Sequence, residues 1–236
     1  MGSSNEINWK RGLNDEGNQL EKLGFDDTIL SQKRSLSNLS GIDADGSIFF
    51  EKDILEIGCS PFALIHGIHQ AYIKVGIDPC ALSDKFKKYY RNDTHVNHTA
   101  GMAEFLPFND ESFDVILSIN SLDHWLNPYS GLKEVNRVLR KSGLFLLMIH
   151  TFSLPSNMIP LLAHIDKHPH HFNNHNIQSL VKDCGFTVKS MTNQRVSPSL
   201  AISLLKKKLI VSSFKTSCAI LWQIHDSAYV LYKDSL

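Results

Sequence analysis

An excess of positive charge is the first thing missing from this chain. Lysine plus arginine and aspartate plus glutamate number 24 each, so the formal net charge is zero. Neutralising nucleic-acid phosphates takes a cationic surplus, and nucleic acid is therefore not an expected partner. Cysteine is scarce as well. Cys59, Cys80, Cys184 and Cys218 are scattered without a CxxC pair, which speaks against a zinc knuckle or a disulfide framework. No stretch of about 18 apolar residues occurs, so no integral membrane association is expected. The opening "MGSSNEINWKRGLNDEG" lacks the apolar core of a secretory signal. Internal repeats and low-complexity tracts are absent too. A reduced, cytoplasmic protein is the expectation.

What is present is enough apolar material for a sizeable core: 236 residues, 42% of them hydrophobic, which suits one α/β domain. Residues 1–50 are polar with helical pieces such as "NQLEKLG" and read as an N-terminal helical arm or cap. The pattern changes at residue 53. "DILEIG" is a short, nearly continuous apolar run ending in glycine, as in strands buried on both faces of a parallel sheet. "SPFALIHGIHQA" is then predicted as a helix, with Ser60 as N-cap and Pro61 in the first turn. Strands follow at "IKVGID", "THVNHTA", "FDVILSIN" and "LFLLMIH". Helices are predicted at "ALSDKFKKYYRN" and at "SGLKEVNRVLRKSG", the latter with Leu132, Val135, Val138 and Leu139 on one face and Gly143 past its end. The helix "NIQSLVKDCG" and the strands "FTVKSM" and "SAYVLYKD" complete the chain. Alternating strands and helices imply right-handed βαβ units. The fold class is thus a doubly wound, Rossmann-like α/β domain over residues 51–236. Within it, residues 151–176 form a lid and residues 196–224 an insertion.

In such sheets ligands sit beyond the carboxyl ends of the strands. Gly58 ends the first strand and lets the backbone turn tightly against a ligand. N–H groups of the following segment favour a carboxylate or phosphate there. Glu56, at the base of the turn, can orient an ammonium group. The plain alternative is a capped αβ turn. Asp78 ends the second strand about 20 residues later, where an acid can accept two ribose hydroxyls. Its plain alternative is a solvated loop aspartate before Pro79.

"DILEIGCSP", "VGIDP" and "GMAEFLPFNDESFDVILSINSLDHWLNPYSGLKEVNRVLRKSGLFLLMI", in this order and spacing, resemble the class I S-adenosylmethionine-dependent methyltransferases. The likeness is to the broad methyltransferase type 11 subgroup acting on small molecules, sugars and lipids, and it covers residues 50 to 192. It implies a seven-stranded, mostly parallel sheet with an antiparallel last strand, and S-adenosyl-L-methionine as cofactor. Glu56, Gly58, Cys59 and Ser60 fall on the loop that holds the methionine part, and Asp78 on the ribose acid. Met102, Ala103 and Glu104 fall around the adenine, and Asn120 between cofactor and acceptor. Two departures stand out. Ser60 and Phe62 replace the later glycines of the cofactor loop, and Met102 replaces an aspartate that often receives the adenine amino group.

Methyl transfer from a sulfonium is an in-line displacement, in which the protein aligns the nucleophile and takes its proton when needed. "NSLDHWLNP" supplies Asp123 and His124 on the loop after the fourth strand. His124 is the candidate general base and Asn120 its companion at the acceptor; the alternative is a histidine that caps a helix or packs on Trp125. "HIDKHPHHFNNH" holds His164, His168, His170, His171 and His175, with Asp166 nearby. A metal site is conceivable there, but a solvent-facing lid before the next helix is the favoured reading; a lid over the acceptor with one histidine touching substrate stands between the two, and no metal is assigned. "SLAISLLKKKLIVSSF" reads as a docked surface helix with Lys206, Lys207 and Lys208 solvated, rather than as a membrane-surface helix. Tyr89, Tyr90, Trp125 and Trp222 read as core. Trp9 lies in the arm.

The leading expectation is methyl transfer to oxygen or nitrogen of a small-molecule, sugar or lipid-like acceptor, with a homodimer allowed. A cofactor-binding sensor or partner subunit without catalysis is the alternative. The missing G-x-G-x-x-G turn argues against a nicotinamide oxidoreductase.

Overall fold

The computed structural model describes residues 25–43, 45–81, 95–154, 157, 168–195 and 224–234. Among them are the strands β1 (Asp53–Ile57), β2 (Ile73–Asp78), β3 (Asn97–Ala100), β4 (Phe113–Ile119), β5 (Leu139–Phe152), β6 (Phe186–Arg195) and β7 (Ile224–Lys233). The helices are α1 (Phe25–Ser40), α2 (Pro128–Val138) and α3 (Asn174–Asp183). The strands form one seven-stranded sheet in the order β3-β2-β1-β4-β5-β7-β6. β1 through β5 run parallel, while β7 is antiparallel to both its neighbours β5 and β6.

The continuous apolar runs are explained by burial on both faces. Along β1, Leu55 and Ile57 face a core shared with α2 and α3, where Leu132, Val135, Ile177 and Val181 pack. Ile54 faces a second core with Leu117, Leu146 and the α1 residues Leu36 and Leu39. Side chains alternate across a strand, so Glu56 points to this second face. Residues 25–40, expected within an arm, form a helix lying against β6, β7 and the segment after β1.

α2 starts as its sequence dictates. Asn127 accepts the Ser130 N–H at 3.1 Å and Pro128 opens the first turn. Its end differs from expectation. The helix stops at Val138 and β5 begins directly at Leu139, without a stop near Gly143. Leu139 pairs with Phe113 of β4, and Arg140 bridges Asp53 and Asp114 at 2.8 and 2.7 Å, so the sheet takes these residues from the helix. Arg137 fastens the approach to β4, donating to the carbonyls of Leu106 and Phe108 and to Asp110.

The larger correction concerns the segment after β1. The helix predicted over residues 60–71 is not there; residues 60–63 form a turn, followed by a 3-10 turn at Leu64–Gly67. Ser60 does not cap a helix. Its Oγ accepts the Phe62 N–H, and its carbonyl accepts the Ala63 N–H, a turn that Pro61 favours at its second position. The Glu56 carboxylate draws the Ile65 N–H to 2.7 Å, removing a donor that an α-helix would have used.

Several expected features lie outside the described residues. These are the helical piece at 18–24, nearly all of the helix at 81–92 with Tyr89 and Tyr90, His164 and Asp166, and almost the whole 196–224 insertion with Lys206 to Lys208 and Trp222. Trp9 and Cys218 lie there too.

Candidate active site

The rim at the carboxyl ends of β1 to β5 gathers the residues singled out from the sequence. Ile57 is paired with Ile77, and Asp78 with Ala100, so Gly58 and Asp78 stand side by side on one edge of the sheet. Gly58 has a positive φ of 77°, a conformation open to glycine at low cost. A Cβ placed there would meet Ser121 Cβ at 2.3 Å. Ser121 in turn donates to the Ile57 carbonyl at 2.8 Å and shares a bond of 2.9 Å with Ser118. The close approach of the two loops therefore depends on Gly58 having no side chain.

The residues expected to hold a cofactor divide into two groups. At the β2 end, Asp78 is half-buried, and its Oδ1 accepts the Cys80 N–H at 2.7 Å. Gly101 donates to the Asp78 carbonyl, which brings half-buried Met102 and buried Ala103 next to this rim. This half suits a ribose and an apolar-faced base. Glu104 is turned the other way, accepting the Asn127 N–H at 2.8 Å at the start of α2. At the β1 end the turn closes on itself. The N–H groups of Gly58 and Cys59 go to the Ile77 carbonyl, and Ser60 N–H goes to the Gly58 carbonyl. A carboxylate there would rely on the Ser60 hydroxyl more than on a row of backbone donors. Phe62 is buried at 3% exposure, filling space that a later glycine would leave open.

Glu56 is not at the open edge. It is fully buried, its carboxyl pushed up to about 7 by burial while the N–H groups of Ile65 and Leu64 pull the other way. Around neutral pH it is thus poised between charged and neutral. Cys59 is buried as well, its thiol raised by burial and by the charges of Glu56 and Asp78.

The residues expected on the acceptor side lie on the loop after β4. Asn120 is exposed with a positive φ of 50°, and its N–H is tied to the Met148 carbonyl at 2.8 Å. Asp123 is buried and hydrogen-bonded to His168 Nδ1. The rings of His124 and His168 lie 4.3 Å apart. Burial alone would raise the Asp123 carboxyl. The charges of His168 and His124, the hydrogen bond from His168 and the charge of His150 overcome it and hold it well below the usual carboxylate range. The described end of the 151–176 segment reaches this site directly, for His170 N–H donates to the Asp123 carbonyl at 3.2 Å. His150, on the next strand, lies 2.6 Å from Asp226. Trp125 packs in the core, as expected.

Sequence reasoning picked out Asp123, His124 and the histidine-rich segment separately but did not join Asp123 to His168. A buried acid beside a histidine in "LDHW" was the available signal; the partner 45 residues away was not marked by spacing. Ser121, the residue that requires Gly58, carried no motif.

Residues 55–147 match the family model described as "Methyltransferase domain". Over 116 residues the chain is 32% identical to phthiotriol/phenolphthiotriol dimycocerosates methyltransferase 1 of Mycobacterium ulcerans, covering 46% of this chain and 40% of that protein. The fold is similar to the crystal structure of YcgJ from Bacillus subtilis, with a TM-score of 0.61 at 17% identity, covering 79% of this chain and 93% of that one. It is also similar to phosphoethanolamine N-methyltransferase 2 of Haemonchus contortus in complex with phosphomonomethylethanolamine and S-adenosylhomocysteine. There the TM-score is 0.58 at 14% identity, with 90% and 53% of the two chains covered. The matched stretch spans between 22% and 40% of the length of such curated relatives. Among the described residues no helix is long and apolar enough to cross a membrane.

Proposed function

We propose that this chain is a class I S-adenosylmethionine-dependent methyltransferase, a reading supported by the methyltransferase-domain match over residues 55–147, and that it transfers a methyl group from S-adenosyl-L-methionine to oxygen or nitrogen of a small-molecule, sugar or lipid-like acceptor. The observation that carries the reading is the adjacency of Gly58 and Asp78 on one rim, with the Asp123–His168–His124 group on the neighbouring loop.

When bound, the cofactor supplies a methyl group activated by a positive sulfur. Asp78 accepts the ribose hydroxyls, and Met102 and Ala103 pack against the base. Ser60 donates its hydroxyl proton toward the methionine carboxylate. Asn120, fixed by its N–H bond to Met148, marks the border between cofactor and acceptor. His124 and His168 face the acceptor and take the proton that leaves it, with Asp123 orienting His168 and stabilising its charged form. The lipid and phosphobase acceptors in the names of the relatives above support a substrate with an apolar or phosphorylated portion.

Calorimetry with S-adenosylmethionine and S-adenosylhomocysteine tests the binding half of this proposal. Asp78→Ala is expected to weaken binding at least about tenfold, the worth of one charge-assisted hydrogen bond. An unchanged affinity removes Asp78 from the ribose. Incubating cell-extract metabolites with the protein and a methyl-labelled cofactor tests the transfer half. A second reading, a cofactor-binding sensor without catalysis, is favoured by the self-bonded turn at Gly58–Phe62 and by Met102. Tight binding without any labelled product selects it.

A further inference from the structure

The residues after β1 build a second polar cluster on the inner face of the same corner. Glu56, Gly76 and His98 stand in one row across the sheet, paired in register through Gly76. Because Gly76 has no side chain, the Cys59 thiol drops into its place. A Cβ on Gly76 would meet Cys59 Sγ at 2.4 Å and His98 Nδ1 at 3.1 Å. Cys59 Sγ lies 3.9 Å from His98 Nδ1. His66, on the 3-10 turn, stacks on His98 with ring centroids 5.2 Å apart. One ligand atom from each of the three residues lies within 4.8 Å of the others.

From this convergence we infer that Cys59, His66 and His98 form a binding site for a zinc-type divalent ion. Thiolate plus two imidazoles is a donor set suited to a borderline-soft, tetrahedral metal. Bonds of the usual Zn–S and Zn–N lengths place sulfur and nitrogen about 3.5 Å apart, so Cys59 and His98 need to close by only a few tenths of an ångström. The ion would displace the Cys59 proton to solvent, against the burial and the neighbouring Glu56 and Asp78 that hold the thiol protonated. Lys74, which faces His66, opposes the ion.

The site would have a structural use. The corner after β1 has only a 3-10 turn, and the ion would tie that turn to β1 and β3. The cofactor reading rests on Asp78, Met102, Ala103 and the Ser60 hydroxyl, and the metal reading on the side chains of Cys59, His66 and His98, so the two stand or fall separately. The Asp123, His124 and His168 atoms also lie within 4.8 Å of one another, but there the hydrogen bond between Asp123 and His168 accounts for the grouping.

The test is cobalt(II) and zinc(II) titration of the full chain after stripping with a chelator. One equivalent should bind, with a thiolate-to-cobalt charge-transfer band and the intense visible bands of tetrahedral cobalt. Cys59→Ser should abolish the charge-transfer band and weaken zinc by at least about 100-fold. His98→Ala, at a half-buried position, should weaken it as well, while His168→Asn should leave it unchanged. No binding at one equivalent, a charge-transfer band that survives in Cys59→Ser, or loss of the site in His168→Asn would each overturn the inference.

Discussion

Gly58→Ala will unfold at markedly lower urea than the parent chain and will bind S-adenosylmethionine poorly or not at all. Two costs combine at this position. An alanine held at φ 77° loses on the order of 1–3 kcal/mol. Its Cβ, at 2.3 Å from Ser121 Cβ, must push the β4 loop away, which adds roughly another 1–3 kcal/mol of overpacking. The combined loss is a large part of the stability of an ordinary domain. The displaced loop is the one that carries Asn120 and Asp123, so binding and catalysis suffer along with stability. Adding Ser121→Gly should restore the steric share and leave the conformational share, so the double variant should fall between the two. A Gly58→Ala protein with an unchanged urea midpoint would show that the two loops are not in contact as described.

The second large effect is expected from Asp123→Asn. The substitution keeps the shape of the buried side chain and removes the charge that orients and stabilises the protonated form of His168. The rate of methyl transfer should fall by about 100-fold or more, in the range that general-base catalysis contributes. Cofactor affinity should change little, since Asp123 does not line the cofactor half of the rim. The pH profile supplies the discriminating readout. A carboxylate beside an imidazolium favours the protonated ring. Its removal should move the acidic limb of the rate profile to lower pH. His168→Gln should lower the rate to a similar degree, and the double variant should be little worse than either single one, because the two residues act as a unit. An Asp123→Asn enzyme with parental turnover and an unmoved acidic limb would leave Asp123 as a structural residue only.

Much of the scaffold was legible because its strands are buried on both faces. "DILEI", "IKVGID" and "FDVILSI" are apolar enough that few other structures could hide them, and the strand ends then located Gly58, Asp78 and Asn120. The antiparallel last strand came from family resemblance and not from local pattern. Two local predictions failed for non-local reasons. The segment 60–71 has a good helix-start signature in Ser60 and Pro61, but Glu56, nine residues from Ile65 in the chain, takes the backbone donor a helix needs. The end of α2 was placed too late because Arg140 belongs to an ion-pair bridge between β1 and β4. The candidate site was legible where a residue's position follows from its place at a strand end. It was not where the role depends on a partner brought across the sheet, as with Asp123 and His168, Gly58 and Ser121, or Gly76 and Cys59.

The corner after β1 has a consequence for how this chain could change over time. A helix is a cooperative lattice, in which one poor residue weakens its neighbours. This corner is held by separable fastenings: Glu56 on Ile65, Ser60 on Phe62, Cys59 over Gly76. Each can be loosened or exchanged without unravelling the rest. The corner beside the proposed cofactor rim is therefore also one that selection can retune at these fastenings in single, small steps.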